Sequence, residues 1–172
     1  MILNGQKASL RTPEKRDVDL IFRWENDRNN WLVSNTVAPY THEEIEAFVS
    51  NPPDLYEDQQ MRWMIEGSDG QVVGCLDLFD LDPKNRRVGI GILIDQEFRG
   101  KGYGHEAIDL VLEFCYRDLD LHSVYAEVLA SNDSSQHLFE AAGFKKVGVK
   151  QDWLWNGASF VDQYMYQRFS DR

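Results

Sequence analysis

The stretch Ile90–Cys115 reads IGILIDQEFRGKGYGHEAIDLVLEFC and contains a strand, a glycine-rich loop and a helix in succession. Its first five residues are an apolar run with β-branched side chains, which predicts a buried strand. Apolar residues then recur at helical spacing over Ala107–Cys115, which predicts an amphipathic helix. Between them, Arg99–Gly104 alternates glycine with larger residues. Glycines let a ligand approach the backbone N–H groups, and a helix start adds unpaired donors and a positive dipole end. With the charges of Arg99 and Lys101, the stretch predicts an anion site.

Two common phosphate-binding motifs do not fit this loop. The P-loop pattern G-x-x-x-x-G-K-[ST] does not occur in the chain, and the loop reads G-x-G-x-G where a dinucleotide fingerprint requires G-x-G-x-x-G. The remaining pattern is Arg-x-x-Gly-x-Gly, formed by Arg99, Gly102 and Gly104. The alternative is a glycine-rich turn between a strand and a helix that binds no ligand.

Length and composition predict one domain that spans residues 1–172. Hydrophobic residues make up 42% of the chain and charged residues 27%, which is ordinary for a globular protein with its own core. No apolar run reaches the roughly 20 residues that a membrane helix requires. The N-terminal segment also lacks the apolar core of a signal peptide. We therefore expect a cytoplasmic protein that does not bind a membrane.

The cysteines and the net charge argue against further classes of function. Cys75 and Cys115 lie in apolar contexts without a C-x-x-C pattern, which predicts core residues and neither a disulfide nor a metal site. A net charge of -11 argues against nucleic-acid binding, which requires a basic surface. The same charge attracts a cationic substrate at long range, although solubility alone would also account for it.

Periodicity, caps and turn residues predict the order of the secondary structure. In chain order the predicted elements are a strand at Ala8–Arg11, a helix at Asp17–Asn26, a helix behind a capping box at Thr41–Glu44, a hairpin at Gln60–Phe79, the strand and helix around the glycine loop, a strand at His122–Ala130, a helix from Asn132 to Ala142, and a hairpin around Asn156–Gly157. Asn26–Asn30 is expected to be a loop, and Trp31–Tyr40 to be irregular because of Pro39. The order β-α-α-β-β-β-α-β-α-β-β predicts an α/β fold with a mixed sheet.

Three segments in this order resemble the GNAT family of N-acetyltransferases, and the resemblance covers nearly the whole chain. The first is Arg99–Gly104 after its strand. The second, Ala130–Phe144, is similar to the family's pattern N-x-x-[SA]-x-x-[LV]-[YLF]-E-x-x-G-F. The third is Trp155–Gly157 with Asp162 and Tyr166, which resembles the closing hairpin of the ribosomal-protein and polyamine branch. Within that branch, the resemblance is to the bacterial spermidine N-acetyltransferases.

The resemblance implies acetyl-CoA as cosubstrate, and no metal. The CoA pyrophosphate would bind the backbone amides of the loop, and the preceding strand would pair with the pantetheine amides as if it gained a strand. Asn132 and Ser135 would contact the other side of the pantetheine arm. Asn132 also fits a plain helix N-cap, and Tyr103 also fits packing on the loop. The implied cofactor-binding residues are Ile92, Leu93, Ile94, Arg99, Gly100, Lys101, Gly102, Tyr103, Gly104, Asn132 and Ser135.

The family's reaction is direct attack of an amine on the acetyl thioester. It requires a neutral amine, a donor to the oxyanion and a proton for the thiolate. Many relatives place a Tyr where this chain has Phe139, and spermidine-type relatives often place a Glu where it has Gly89. Neither usual catalytic residue can therefore be transferred. The candidates for proton transfer are Glu127 and Tyr166, followed by Asp77, Tyr125 and Tyr164, each of which also fits a surface or packing role.

The acceptor pocket is expected between the early helices, their connecting loop and the final hairpin. Aromatic and acidic side chains there would suit a cation. The candidates are Glu25, Trp31, Tyr40, Trp153 and Trp155, whereas Trp24 and Trp63 fit the hydrophobic core at least as well.

Three functions remain open at this point. The first is acetylation of a small polyamine or similar amine, and the second is acetylation of a protein N-terminus. The third is a non-catalytic acyl-CoA-binding module. It would explain why Phe139 and Gly89 occupy the positions of the usual catalytic residues. The expected partner is a small-molecule amine, and the exposed last hairpin could pair with a second copy to form a homo-oligomer.

Overall fold

The computed structural model describes residues 2–34 and 36–171. Its strands are β1 (Ile2–Asn4), β2 (Ala8–Arg11), β3 (Met61–Gly67), β4 (Val72–Asp82), β5 (Arg87–Ile94), β6 (Ser123–Leu129), β7 (Lys145–Trp155) and β8 (Phe160–Phe169). Its helices are α1 (Val18–Glu25), α2 (Arg28–Ser34), α3 (His42–Ser50), α4 (Tyr103–Glu113) and α5 (Asp133–Ala141).

The strands form a single eight-stranded sheet in the order β1-β2-β3-β4-β5-β6-β8-β7. Neighbouring strands are antiparallel, except that β5 and β6 run parallel within the described ranges. Helix α4 lies on the crossover between those two strands, as a parallel connection requires. The predicted α/β fold with a mixed sheet is confirmed.

The sheet has a hydrophobic cluster on each face. The larger cluster packs under α4 and α5 and contains Trp63, Leu76, Ile90, Ile108 and Phe139 among others. The smaller cluster packs α1 and α3 against Met64 and Cys75. Alternation along β4 explains this division, because successive side chains of a strand point to opposite faces.

The cysteines and two tryptophans are core residues, as the sequence predicted. Cys75 and Cys115 are buried and unbridged, and burial raises the pKa of both thiols to about 12. Trp24 and Trp63 are buried in the two clusters. The predicted capping box is also confirmed, since the Thr41 hydroxyl accepts from the amide of Glu44 and the Glu44 carboxylate accepts from the amide of Thr41.

Two elements differ from the predicted order. Strand β1 was not predicted, because three residues are too few for an alternating pattern; it is held by pairing with β2. Helix α2 lies where a loop and an irregular segment were expected, and that prediction was wrong. Asp27 Oδ1 accepts from the Asn29 amide at 2.9 Å, and Trp31 Nε1 donates to the Glu25 carbonyl at 2.8 Å, so local caps outweigh the low helix propensity of the Asn residues. Asn35, also in the expected irregular segment, lies outside the described residues.

Candidate active site

The parallel strands β5 and β6 separate before they end. Their register contains three pairs, the last of which is Gly89↔Tyr125. Beyond it, β5 continues along β4 as far as Ile94, and β6 continues along β8 as far as Leu129. Within the described residues the facing edges of this second half do not pair with each other. They therefore present backbone donors and acceptors to anything that enters between them.

A cleft of about 1330 Å³ opens at this separation. All the residues that the sequence assigned to the cofactor line it except Lys101. The structure therefore brings together Asn132 and Ser135 of α5, the open half of β5, and the loop before α4.

Gly102 and Gly104 determine how the loop enters α4. Gly102 is the N-cap of the helix, with a φ of +87°, which a residue with a side chain rarely adopts. A Cβ on Gly104 would approach Leu138 of α5 to 3.2 Å, so the missing side chain lets the two helices pack closely. The first turn of α4 thus starts beside the cleft, where the N–H groups at a helix start that have no partner within the helix are available to an anion.

Three cationic side chains surround this loop. Arg99 Nε donates to the Ile94 carbonyl at 3.0 Å, and Lys101 Nζ lies 5.1 Å from the centre of the Phe98 ring. Lys7 reaches the loop from the β1–β2 turn, since its Nζ would lie 3.1 Å from a Cβ on Gly102. Across residues 2–34 and 36–171 none of the three forms an ion pair with a carboxylate, which leaves local positive charge in a chain of net charge -11.

Glu106 holds the β1–β2 turn next to the loop. Its carboxylate accepts from the backbone amides of Gln6, Lys7 and Ala8 at 2.6, 2.9 and 3.0 Å. Sequence reasoning missed Lys7, because nearly a hundred residues separate it from the loop and no local pattern links the two. The sequence shows that Glu106 lies in the first turn of α4, but it does not indicate that this carboxylate contacts the β1–β2 turn.

Asn132 has the capping role that was weighed as its alternative. Its Oδ1 accepts from the Ser135 amide and from the Ser134 hydroxyl, both at 3.2 Å. In the described part of the chain its Nδ2 makes no hydrogen bond, and Asn132 lines the cleft. One side chain can therefore cap α5 and still donate to a ligand.

The two positions without the family's usual catalytic groups have different structural contexts. Phe139 is 3% exposed, lines the cleft and packs edge-on against Phe144. Gly89 lies under the ring of Phe79, and a Cβ there would be 2.3 Å from a ring carbon. Phe79 also packs edge-on against Tyr125, with ring centres 5.9 Å apart. A phenyl ring thus occupies the space above Gly89 that an acidic side chain would need.

The candidates for proton transfer are not all placed at the cleft. Glu127 lines it and forms an ion pair with Lys150. Tyr166 is fully buried on the α5 side of the sheet and donates to Glu140 Oε1 at 3.0 Å, outside the cleft. Burial, followed by the Glu140 carboxylate, raises the pKa of Tyr166 to about 12.

The other two tyrosines also lie outside this cleft. Tyr125 lines a smaller cavity of about 550 Å³ and donates to Asp80 at 3.2 Å. Burial, and then the charge of Asp80, raises the pKa of its phenol. Tyr164 packs against the large cluster below the ammonium of Lys146.

A partly buried ion cluster also lines the cleft. Arg62 donates through Nε and Nη2 to both oxygens of Asp77 at 2.7 Å, and through Nη1 to Glu25 Oε1 at 2.5 Å. Burial lowers the pKa of this guanidinium, but the Asp77 and Glu25 charges outweigh burial, and the net pKa is well above its usual value. Glu25 and Asp77 were both named from the sequence, whereas Arg62, which connects them, was not.

Three of the five residues predicted for the acceptor pocket line the cleft, namely Glu25, Tyr40 and Trp153. Trp31 is not part of its lining, and its indole is engaged with the Glu25 carbonyl and the guanidinium of Arg28. Trp155 is exposed on the last hairpin and packs against Phe160.

Within residues 2–34 and 36–171, none of the helices is both long and apolar enough to cross a membrane. In the same ranges, no group of three or more His, Cys, Asp or Glu side chains is arranged to hold a metal ion.

The mixed sheet and its helices have the architecture of an acetyltransferase. A model of the acetyltransferase (GNAT) domain matches residues 8–145, so the chain belongs to the GNAT family. The family that the sequence motifs indicated is therefore confirmed.

Known proteins similar to this chain share the same class. A spermidine N(1)-acetyltransferase of Vibrio cholerae is 26% identical over 160 residues, which are 90% of this chain and 88% of that protein. The prophage-derived uncharacterized N-acetyltransferase YokL of Bacillus subtilis is 31% identical over 158 residues, 92% and 87% of the two chains. The crystal structure of spermidine N-acetyltransferase from Vibrio cholerae in complex with CoA and spermine has the same fold, with a TM-score of 0.84 at 23% identity over 96% of both chains.

Proposed function

We propose that this chain transfers the acetyl group of acetyl-CoA to a primary amine of a small polyamine such as spermidine, by direct attack on the thioester. The observation that carries the proposal is one cleft that joins an unpaired cationic loop to a wall of carboxylates and aromatic rings. Relatives named spermidine N(1)-acetyltransferase in two bacteria support the same substrate class.

The loop end of the cleft suits the diphosphate of CoA. Backbone amides of Arg99–Gly104 and the start of α4 would donate to its oxygens, and Lys7, Arg99 and Lys101 would neutralise its charge. The open edge of β5 would pair with the pantetheine amides, and Asn132 Nδ2 would donate from the other side.

The opposite end suits a cation. Glu25 and Asp77 carry two negative charges against the single positive charge of Arg62, so this wall has a net negative charge. Trp24 and Tyr40 add aromatic surface there. The net charge of -11 would also raise the local concentration of polycations.

Proton transfer would depend on water and on carboxylates at the cleft. An ammonium is not a nucleophile, so the acceptor must first lose a proton. Asp77 lines the cleft and is the carboxylate that would accept this proton through a chain of water molecules. Phe139 has no proton to give to the CoA thiolate, which we infer is protonated by water.

A thiol-release assay with acetyl-CoA and a panel of amines tests the proposal. The panel contains spermidine, spermine, an aminoglycoside, free amino acids and basic N-terminal peptides. We expect release with the polyamines and little with the rest. Product formed only on peptides would favour acetylation of protein N-termini. Calorimetric binding of acetyl-CoA without release on any amine would favour an acyl-CoA-binding module.

Phe139→Tyr tests the missing acid within the same assay. A hydroxyl at this cleft-lining position would supply a proton to the thiolate, and we expect kcat to rise about tenfold or more. Acetyl-CoA affinity should not change. Phe160→Tyr, on an exposed ring outside the cleft, is the matched control. An unchanged kcat in Phe139→Tyr would show that thiolate protonation does not limit the reaction.

We also propose a cytoplasmic location and a homo-oligomer. Strand β7 is at the edge of the sheet, and the last hairpin exposes Val147, Val149, Trp155 and Phe160 by about half or more of their surfaces. Such an apolar edge favours pairing with a second copy. Sedimentation of the purified chain would test this, and a monomer at all concentrations would contradict it.

A further inference from the structure

The wall of the cleft formed by β6, β8 and β7 has no role in the proposal above. In the strand register, Gln163 of β8 lies between Leu129 of β6 and Lys150 of β7. Glu127 is two residues before Leu129 and points to the same face. Gln163 and Glu127 both line the cleft, together with Trp153. We call Glu127, Lys150, Trp153 and Gln163 the β8 wall.

Gln163 has an unused acceptor. Its side chain belongs to a residue that is 8% exposed, and its Oε1 makes no hydrogen bond within the described residues. A buried carbonyl oxygen without a partner is unfavourable, and such atoms in native structures usually accept from a ligand or an ordered water. Because Oε1 only accepts, the missing partner must bring an N–H or O–H donor.

Glu127 offers a second acceptor on the same wall. Its Oε1 is bound by the Lys150 ammonium, which also lies 4.8 Å from the centre of the Trp153 ring. Its Oε2 makes no hydrogen bond within residues 2–34 and 36–171. The wall therefore already binds one alkylammonium group of the chain itself, which shows that its carboxylate and ring suit that chemistry.

We propose that Gln163 Oε1 and Glu127 Oε2 bind a second ammonium group of the acceptor, remote from the nitrogen that is acetylated. An ammonium has enough N–H donors for both oxygens. A carboxylate stabilises the charged form, so a nitrogen held here stays protonated and cannot be the nucleophile. The subsite therefore selects diamines and longer polyamines over monoamines, and the inference rests on the proposed function.

The test compares spermidine with butylamine as acceptors for wild type and Gln163→Leu. Leucine has a similar volume and lacks the acceptor. We expect the KM for spermidine to rise about tenfold, because the variant loses one hydrogen bond to a charged group. The kcat should change little. The KM for butylamine and the acetyl-CoA affinity should not change. Glu127→Gln should weaken the same preference for spermidine.

Gln167→Leu is the matched control. Gln167 is on the same strand and face but lines the smaller cavity, and its variant should keep the wild-type preference. Thermal melts will show that Gln163→Leu is folded. A spermidine-to-butylamine ratio of kcat/KM within twofold of wild type would overturn the subsite, as would a loss confined to acetyl-CoA affinity.

Failure of the proposed function would be visible separately. If wild type releases no thiol with any amine, calorimetric titration of spermidine onto wild type and Gln163→Leu still measures the subsite. Weaker binding in the variant would support it, and equal or undetectable binding in both would overturn it.

Discussion

The two ends of the cleft are encoded differently in the sequence. The loop end consists of neighbouring residues, Arg99–Gly104 before α4, whose backbone amides are the groups proposed to bind the diphosphate. The acceptor end joins Glu25 of α1 to Arg62 of β3, 37 positions apart, and Arg62 to Asp77 of β4, 15 positions apart. A motif therefore identifies the first end, whereas side-chain contacts between distant segments define the second. Variants at each end therefore measure how far that end depends on side-chain contacts between distant segments.

Arg62→Met should have the largest effect. It leaves Glu25 and Asp77 facing each other without a countercharge in a partly buried site. We expect a loss of about 2–4 kcal/mol in the free energy of unfolding, measured by urea denaturation. Arg86→Met is the control, because Arg86 forms an exposed pair with Asp120 that should contribute at most about 1 kcal/mol. A loss below about 1 kcal/mol in Arg62→Met would show that the cluster does not support the acceptor wall.

Gly89→Ala should come next. The added methyl group would meet the Phe79 ring, and we expect a cost of about 1–3 kcal/mol in unfolding free energy. In a Phe79→Ala background the same change should cost much less, because the ring is gone. Gly148→Ala provides the control, since a Cβ on this strand glycine meets no atom within 4 Å. Equal costs with and without Phe79 would contradict the packing that we describe.

These contrasts explain what could be predicted from the sequence. Strand and helix periodicities, the Thr41 capping box and the position of the glycine loop between a strand and a helix are local. These structural predictions were correct because their physical causes lie within a few residues. Gly89 was noted as a departure from the family, but nothing near it indicated that Phe79 covers it. Tyr166 matched a motif, yet its burial under α5 depends on the whole sheet.

Lys7→Ala tests a long-range contact at the loop end. Removing this ammonium should weaken acetyl-CoA binding by about three- to tenfold, as one charge-assisted contact to a phosphate would. The weakening should shrink as salt is raised, because the site is exposed. Isothermal titration at two salt concentrations measures both effects. Lys15→Ala, an exposed lysine in the turn before α1, should bind like wild type, and equal affinities in all three chains would remove Lys7 from the phosphate site.

His42→Gln should have the smallest effect, and only at low pH. His42 Nε2 lies 2.9 Å from Asp19 Oδ1, a contact that links α3 to α1 on the acceptor side. The hydrogen bond to Asp19, with the charges of Glu46 and Asp19, raises the pKa of His42 above its ordinary value, although partial desolvation opposes this. Because the folded pKa is the higher one, the protonated contact stabilises the fold below the unfolded pKa of about 6.5 and is lost as the pH rises through the folded value.

The difference in thermal midpoint between wild type and His42→Gln should therefore be largest near about pH 5.5, where histidine is protonated in both the folded and unfolded states. It should be absent near about pH 9, where histidine is neutral in both. His137→Gln supplies the control, because His137 forms no ion pair within the described residues and its replacement should not change the pH profile. A difference that is constant with pH would mean that His42 contributes by packing against Phe22 alone, whose ring centre is 5.5 Å away. In that case apolar contacts would hold α1 against α3 on the acceptor side. The polar contacts between distant segments that separate the acceptor end from the loop end would then be those around Arg62.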